Sequence, residues 1–335
     1  MTWKPGACAW TRVCRHPGPM AAMLLWCLLV ALPSPANAAA WVVAADGSGD
    51  FRSVQAAIDA VPAHGSGPQV IRVRAGLYRE VVRVPVGKNG IRLVGAGSGA
   101  TVISWDNFAT RIDPATGQPF RTSGSATFFV DGDDFIASDL TIANTAGPVG
   151  QALALSVRGP RAGFRNVRLL GHQDTLYVHE GSRVHIKDSY IEGTVDFIFG
   201  GATALFDDCV LFAKGPSGYI TAASTPQGQA HGLVFRRAIV RGERPGVTFL
   251  GRPWRPYART VFLDSDLGET VAAAGWHDWN KPDAHTTSFY AEHANTGPGA
   301  APTRRVPWAH QLDGARAAGY TTSAILGDWQ PFAGP

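Results

Sequence analysis

The chain lacks several features that would point to common binding roles. It has no run of lysine or arginine. Its 30 Lys and Arg against 26 Asp and Glu give a formal charge of only +4, with the basic residues mostly scattered arginines. Nucleic acid would find no basic stripe to hold its phosphates, although a local groove could still attract a polyanion. The apolar run over residues 21–32 falls short of the ~20 residues of a membrane span. Cysteine is scarce: of four, Cys8, Cys14 and Cys27 lie in the first forty residues and only Cys209 lies beyond. Helical periodicity is equally sparse between the N-terminal region and the last part of the chain.

The first forty residues read as an export leader. Arg12, Arg15 and His16 precede the apolar run, and Pro33, Pro35 and Ala36-Asn37-Ala38 follow it. A basic start, a short apolar middle and an A-x-A site are the marks of a signal peptide. The expectation is a signal peptide over 1–38 and a single secreted domain over 39–335, with no membrane attachment after cleavage. A mature chain with one cysteine has no intramolecular disulfide. Cys209 then reads as a small buried apolar residue, since no basic or His partner nearby in sequence makes it a nucleophile.

In the mature part, Trp41-Val42-Val43-Ala44 reads as a strand and Asp46-Gly47-Ser48-Gly49 as a turn. Val54, Ala57, Ile58 and Val61 follow at helical spacing, with Ser53 as N-cap and Pro62 as terminator. After this helix come short alternating strands such as Ile71–Arg74, Val81–Val84 and Ile91–Val94. A phrase of alternating apolar and polar residues then recurs from Ile136, Phe164, Ile186, Phe206, Phe235 and Leu263, at steps of 28, 22, 20, 29 and 28 residues. Unequal steps of ~20–30 residues made of strands and turns suit a solenoid, and are too short for propeller blades of ~40–45. A sandwich of antiparallel hairpins explains the repeated phrase less well. The predicted fold is an all-β parallel β-helix whose N-terminal helix caps its open end.

One stretch does not fit a purely structural solenoid. Asp196 sits inside Val195-Asp196-Phe197-Ile198-Phe199-Gly200-Gly201, where strand propensity is high and a buried carboxylate is costly unless paired. Alone it could be a strand-end Asp turned to solvent. But Gln151 precedes Gln173 by 22 residues and Asp174 precedes Asp196 by 22. Coils stack ~4.8 Å apart, so these residues form a ladder of two amides and two carboxylates on one face. Carboxylates on neighbouring rungs do not readily both ionise, so one is expected to stay charged while the other keeps a proton. Arg252, in Gly251-Arg252-Pro253-Trp254 and two 28-residue steps beyond Asp196, is the candidate counter-cation. The amides of Gln151 and Gln173 could line an oxyanion hole. Structural roles compete: glutamine ladders stabilise stacked strands, and Arg-Pro-Trp can be a surface turn.

Taken together, these motifs resemble the pectin methylesterases (pectinesterases). The likeness runs through Asp50-Phe51-Arg52-Ser53-Val54-Gln55-Ala56-Ala57-Ile58, Gly76-Leu77-Tyr78-Arg79-Glu80, Ser125-Ala126-Thr127-Phe128 and Gln151-Ala152-Leu153-Ala154-Leu155. It continues through Gly171-His172-Gln173-Asp174-Thr175-Leu176, Asp196-Phe197-Ile198-Phe199-Gly200, Leu250-Gly251-Arg252-Pro253-Trp254, Gly275-Trp276-His277-Asp278-Trp279 and the stretch from Tyr290 to Ala300. The resemblance implies a right-handed β-helix that hydrolyses the methyl esters of pectin (homogalacturonan). Asp196 would be nucleophile and Asp174 general acid, then base. Gln151 and Gln173 would stabilise the oxyanion, and Arg252 would orient Asp196. Thr127, Gln151, Phe199, Arg252 and Trp254 would contact substrate. No cofactor or metal is implied, nor any partner beyond the polysaccharide, and a monomer is expected. Many plant members carry a cysteine at the position of Ser189, pairable with that at Cys209. Residues 105–124 form an insertion expected over the rim of the cleft.

Other readings remain open at this level. Carboxylates ~5 Å apart also suit a retaining glycosidase, although amide donors favour acyl transfer. A lyase would need a Ca²⁺ cage, for which Asp131, Asp133 and Asp134 are the candidates, though Asp-Gly-Asp-Asp is more often a solvated turn. A non-catalytic polysaccharide-binding β-helix would need no acid–nucleophile pair.

Overall fold

The computed structural model describes residues 40–65 and 67–332. The leader expected over residues 1–38 lies outside them. The chain winds as a right-handed parallel β-helix, each coil adding strands to three parallel sheets of 11, 8 and 7 strands. The 11-stranded sheet runs from Trp41–Val43 to His310–Gln311. The 8-stranded sheet begins at Gly76–Arg79 and ends at Asp266–Leu267, and the 7-stranded sheet spans Val82–Val84 to Thr248–Pro253. All strand pairs between named strands are parallel, as right-handed crossovers demand and a hairpin sandwich does not allow.

The recurring phrase has a backbone cause. Asp139, Asn166, Asp188, Asp208, Arg237, Asp264 and Ala294 all have φ between 49° and 59°. Each follows a strand of the 11-stranded sheet and turns the chain towards the next sheet. Their amides bond to the coil above, as in Asn166 N to Lys187 O (3.1 Å) and Asp208 N to Arg236 O (3.1 Å). Short polar side chains tolerate this left-handed conformation best, which is why Asp and Asn recur there. Inside the corner, Phe164, Ile186, Phe206, Phe235 and Phe262 lie in register. The rings of Phe206, Phe235 and Phe262 stack at 4.4 Å between centroids. The sequence phrase is out by one residue at both ends: Ala137, not Ile136, pairs with Phe164, and Phe262, not Leu263, pairs with Phe235.

The N-terminal helix, Val54–Ala60, forms as its spacing predicts, and Ser53 Oγ accepts from Ala56 N (3.2 Å). Its buried Val54, Ala57 and Ile58 join the interior cluster at the end of the solenoid. Glu80 accepts from the amides of Val54 (2.8 Å) and Gln55 (2.9 Å), giving the helix start an anionic cap. One helical turn, Arg121–Gly124, was not foreseen from the sequence pattern. After the last coil, the segment containing Thr322–Leu326 returns over the outer face of the 11-stranded sheet. There Leu312, Ile325, Leu326 and Trp329 cover Leu205, Val234, Val261 and Leu263. Cys209 is buried and free, one rung from Ser189, so the bridge that many plant members could form is absent here.

Candidate active site

The 7-stranded sheet carries the site on its outer face. Gln151 and Gln173 form an isolated parallel bridge, so the first interval of 22 residues is one coil. Leu176 pairs with Ile198, and Asp174 N donates to Val195 O (3.0 Å), which sets Asp174 one coil from Asp196. Both aspartates have left-handed backbones, φ 65° at Asp174 and 51° at Asp196. At Asp196 the strand is also bulged: Val195 pairs with Tyr219 but Ile198 with Thr221, leaving an unpaired residue between. A bulge re-aims a side chain that would otherwise follow the pleat. It lets Phe197 point into the core while Asp196 faces the cleft. The following Gly200, at φ 126°, brings its backbone against Val178 O where a Cβ could not fit.

Arg252 reaches Asp196 by a fork, Nε to Oδ1 at 2.9 Å and Nη2 to Oδ2 at 2.8 Å. Its register is not that of two equal steps. Arg252 pairs with Ala222, which pairs with Phe199, so Arg252 stacks over Phe199 and leans back to Asp196 across the bulge. Both carboxylates are almost buried, Asp174 at 7% and Asp196 at 6% exposure. Burial first, then the charge of Asp196, lifts Asp174 from its usual 3.8 to about 8. Burial also raises Asp196, but the hydrogen bonds and charge of Arg252 oppose it and hold the displacement smaller. Burial thus favours the proton on Asp174, while the arginine fork favours the negative charge on Asp196.

The cleft has a volume of about 420 Å³ and is lined by Gln151, Gln173, Asp174, Asp196, Phe199, Arg252 and Trp254 among the expected residues. Thr127 is not among them. It is fully buried and its hydroxyl donates to Ala143 O (3.0 Å), so it supports the wall from behind rather than facing the cleft. Side chains not foreseen complete the lining: Arg121, Thr122 and Ser123 on one rim, and Tyr177 and Trp279. Tyr177 was legible in principle, since it pairs with Phe199 and stacks on it at 4.3 Å. Arg121 opens a single helical turn and Trp279 stands in a turn, both outside the repeat, and neither carries a periodic signal. The insertion brings its far end to the rim: Ala109 N donates to Gln151 O (2.8 Å) and Arg121 N to Ala109 O (2.8 Å).

Among the described residues no cluster of His, Cys, Asp or Glu has metal-binding geometry. Asp133 is engaged by Arg161 (2.8 Å) and Asp134 by Arg92 (2.7 Å). Chemically, the cleft offers a carboxyl held by an arginine fork, a second carboxyl beside it that burial favours protonated, and two side-chain amides on the same face. That set can add a nucleophile to a carbonyl, receive the oxyanion and protonate a leaving alkoxide.

A family model described as Pectinesterase matches residues 40–328. Pectinesterase 31 of Arabidopsis thaliana is 41% identical over 278 residues, covering 81% of this chain and 86% of that protein. Other curated relatives are longer, and the chain spans about half their length (57% and 47%). Among solved structures, pectin methylesterase from carrot superposes with a TM-score of 0.79 at 37% identity, over 86% of this chain and 93% of that one. A pectin methylesterase in complex with hexasaccharide VII superposes with a TM-score of 0.76 at 34% identity, over 87% and 98% of the two chains.

Proposed function

Because the chain belongs to the pectinesterase family of carboxylic ester hydrolases, we propose that it removes methyl esters from pectin, leaving pectate and methanol, with Asp196 and Asp174 as the reacting carboxyls. The observation that carries the reading is the Arg252 fork on Asp196 beside an Asp174 raised to about 8. Asp196 attacks the carbonyl carbon of a C6 methyl ester, and the electron pair moves onto the carbonyl oxygen beside the amides of Gln151 and Gln173. Collapse of this intermediate breaks the bond to methoxide, which takes the proton of Asp174 and leaves as methanol. The product on the enzyme is an anhydride of Asp196. Asp174, now a carboxylate, removes a proton from water as the oxygen adds to the acyl carbon. Breaking the anhydride frees Asp196 as a carboxylate, leaves Asp174 protonated and releases the galacturonic acid, which gives its proton to solvent to become the carboxylate of pectate. Arg252 orients Asp196, while Trp254 and Phe199 offer ring faces to sugars.

The two amide donors beside the carboxyls favour ester hydrolysis over glycoside cleavage. Residues 1–38 act as an export signal in this reading, residues 39–335 as one catalytic domain working outside the cell on cell-wall pectin, and the catalyst needs no cofactor. Among the described residues no helix is long and apolar enough to cross a membrane. Incubation of the purified protein with methylated pectin should yield methanol without unsaturated products or chain shortening. Asp174→Asn with Asp196→Asn should abolish methanol release while pectin binding persists. Unsaturated products, shortened chains, or undiminished methanol from the double variant would overturn the reading.

A further inference from the structure

We propose that Tyr219 and Trp279 are positioning residues, ring faces on either side of Arg252 that hold its guanidinium in the plane from which it forks onto Asp196. The proposal rests on the roles given above to Asp196 and Arg252. The guanidinium carbon lies 3.8 Å from the centroid of Tyr219 and 3.7 Å from that of Trp279. A guanidinium is weakly hydrated on its faces and donates only in its plane. Rings on both faces therefore exclude water where it is not needed and leave the edge for the carboxylate.

Both rings are themselves held. Tyr219 stacks on Phe249 at 5.4 Å, and His277 stands edge-on to both. Trp279 sits on a clip, residues 277–281, that closes over the strand carrying Arg252. His277 N donates to Gly251 O (3.1 Å), and Lys281 Nζ donates to Pro253 O (3.1 Å) and Trp254 O (3.0 Å). The same ammonium lies 4.6 Å from the Trp279 ring. Trp279 and Asn280 have φ of 57° and 54°, which for a bulky tryptophan is strained. Trp279 N donates to His277 Nδ1 (2.8 Å) and Asn280 N to Asp278 Oδ1 (2.9 Å), which over-determine the strained turn. Strain that the surroundings enforce at the edge of a reactive site points to a positional purpose.

Trp279 also lines the cleft, but Tyr219 does not, so Tyr219 gives the cleaner test. The charged and titratable groups facing Asp196 are Arg252, Asp174 and Lys281, with Tyr290 buried behind. With Arg252 loosened, Asp196 loses part of the field that keeps it ionised. Tyr219→Leu should lower kcat about 10- to 100-fold, the scale of a small misplacement, with KM nearly unchanged. It should also move the acid limb of the kcat/KM profile to higher pH. Tyr219→Phe, which keeps the face, should restore both. In the free protein, a carbon NMR titration of Asp196 should move up in Tyr219→Leu and return in Tyr219→Phe, whether or not the protein turns over. Should Tyr219→Leu not fold, Trp279→Leu against Trp279→Phe provides the same titration. An Asp196 titration and acid limb unchanged by loss of the ring, or a Phe variant as impaired as the Leu variant, would overturn the clamp. Absence of methanol release by the wild-type protein would instead overturn the esterase reading, and the titration would still decide the clamp.

Discussion

At the scale of single residues, the burial of Asp174 costs the fold stability. Its folded pKa of about 8 lies above its ordinary 3.8, so folding favours the protonated form. The fold is undisturbed by this group below pH ~4 and loses stability as pH rises towards ~8. With 1.36 kcal/mol per unit the penalty reaches at most about 6 kcal/mol. Asp174→Asn should therefore raise Tm at pH 8 to 9, leave it unchanged near pH 4, and remove hydrolysis at every pH. Equal Tm differences at both pH values would contradict this assignment. In the wild type the same group predicts a fall of kcat above pH 8, where the acid has lost its proton, visible in a pH–rate profile.

Cys209 allows a second test at this scale. Ser189 and Cys209 occupy equivalent places on neighbouring coils, because Tyr190 pairs with Val210. Adjacent strands ~4.8 Å apart fall within the Cα separation a disulfide accepts. Ser189→Cys should oxidise to an intramolecular bridge and stabilise the protein by about 3 kcal/mol, the usual return for a loop of this size. The gain in Tm should vanish on addition of reductant.

At the scale of elements, the capping helix and the aromatic stack do different work. The helix is short, so its terminus matters. Glu80→Ala removes both acceptors from the amides of Val54 and Gln55 and should destabilise by about 1–2 kcal/mol. Phe235 sits between Phe206 and Phe262 with faces 4.4 Å from each. Phe235→Ala should cost about 3–5 kcal/mol, as expected for a buried ring whose neighbours cannot collapse. Denaturant unfolding of the two variants separates these magnitudes.

The whole molecule depends on a closing device at its side. Asp207 is buried, held by Arg236 (2.7 Å to both oxygens) and His185 (3.0 Å). Arg236 also donates to Tyr320 O (3.0 Å) and Thr322 Oγ1 (2.8 Å), tying the final segment to the sheet. Although burial opposes it, hydrogen bonding to His185 and Arg236 holds Asp207 below the usual carboxylate range. Its stabilisation is therefore present above pH ~4 and lost as pH falls below that value. Arg236→Ala leaves a buried carboxylate without its main partner and frees the segment that covers Leu205, Val234 and Val261. Limited proteolysis should then cut first within residues 313–332, and a dye that binds apolar surface should report the uncovered face.

Much of this protein was legible in its sequence because a solenoid turns sequence interval into spatial neighbourhood. The helix, the stacked coils, the Gln151–Gln173 bridge and the adjacency of Asp174 and Asp196 followed from local propensity and one repeated interval. Register within a strand is a matter of single residues, and there the phrase slipped by one at Ile136 and Leu263, since alternation alone does not say where a left-handed corner falls. Tertiary structure alone decided the rest. The bulge at Asp196 is what lets Arg252, stacked over Phe199, still reach the carboxylate. The burial of Thr127 depends on a carbonyl sixteen residues away. Trp279 and Arg121 meet the site from segments outside the repeat, and Tyr219, on a strand of it, acts through a ring face that the interval does not announce. Periodicity encodes what repeats, and the parts that make the site asymmetric are those that depart from the repeat.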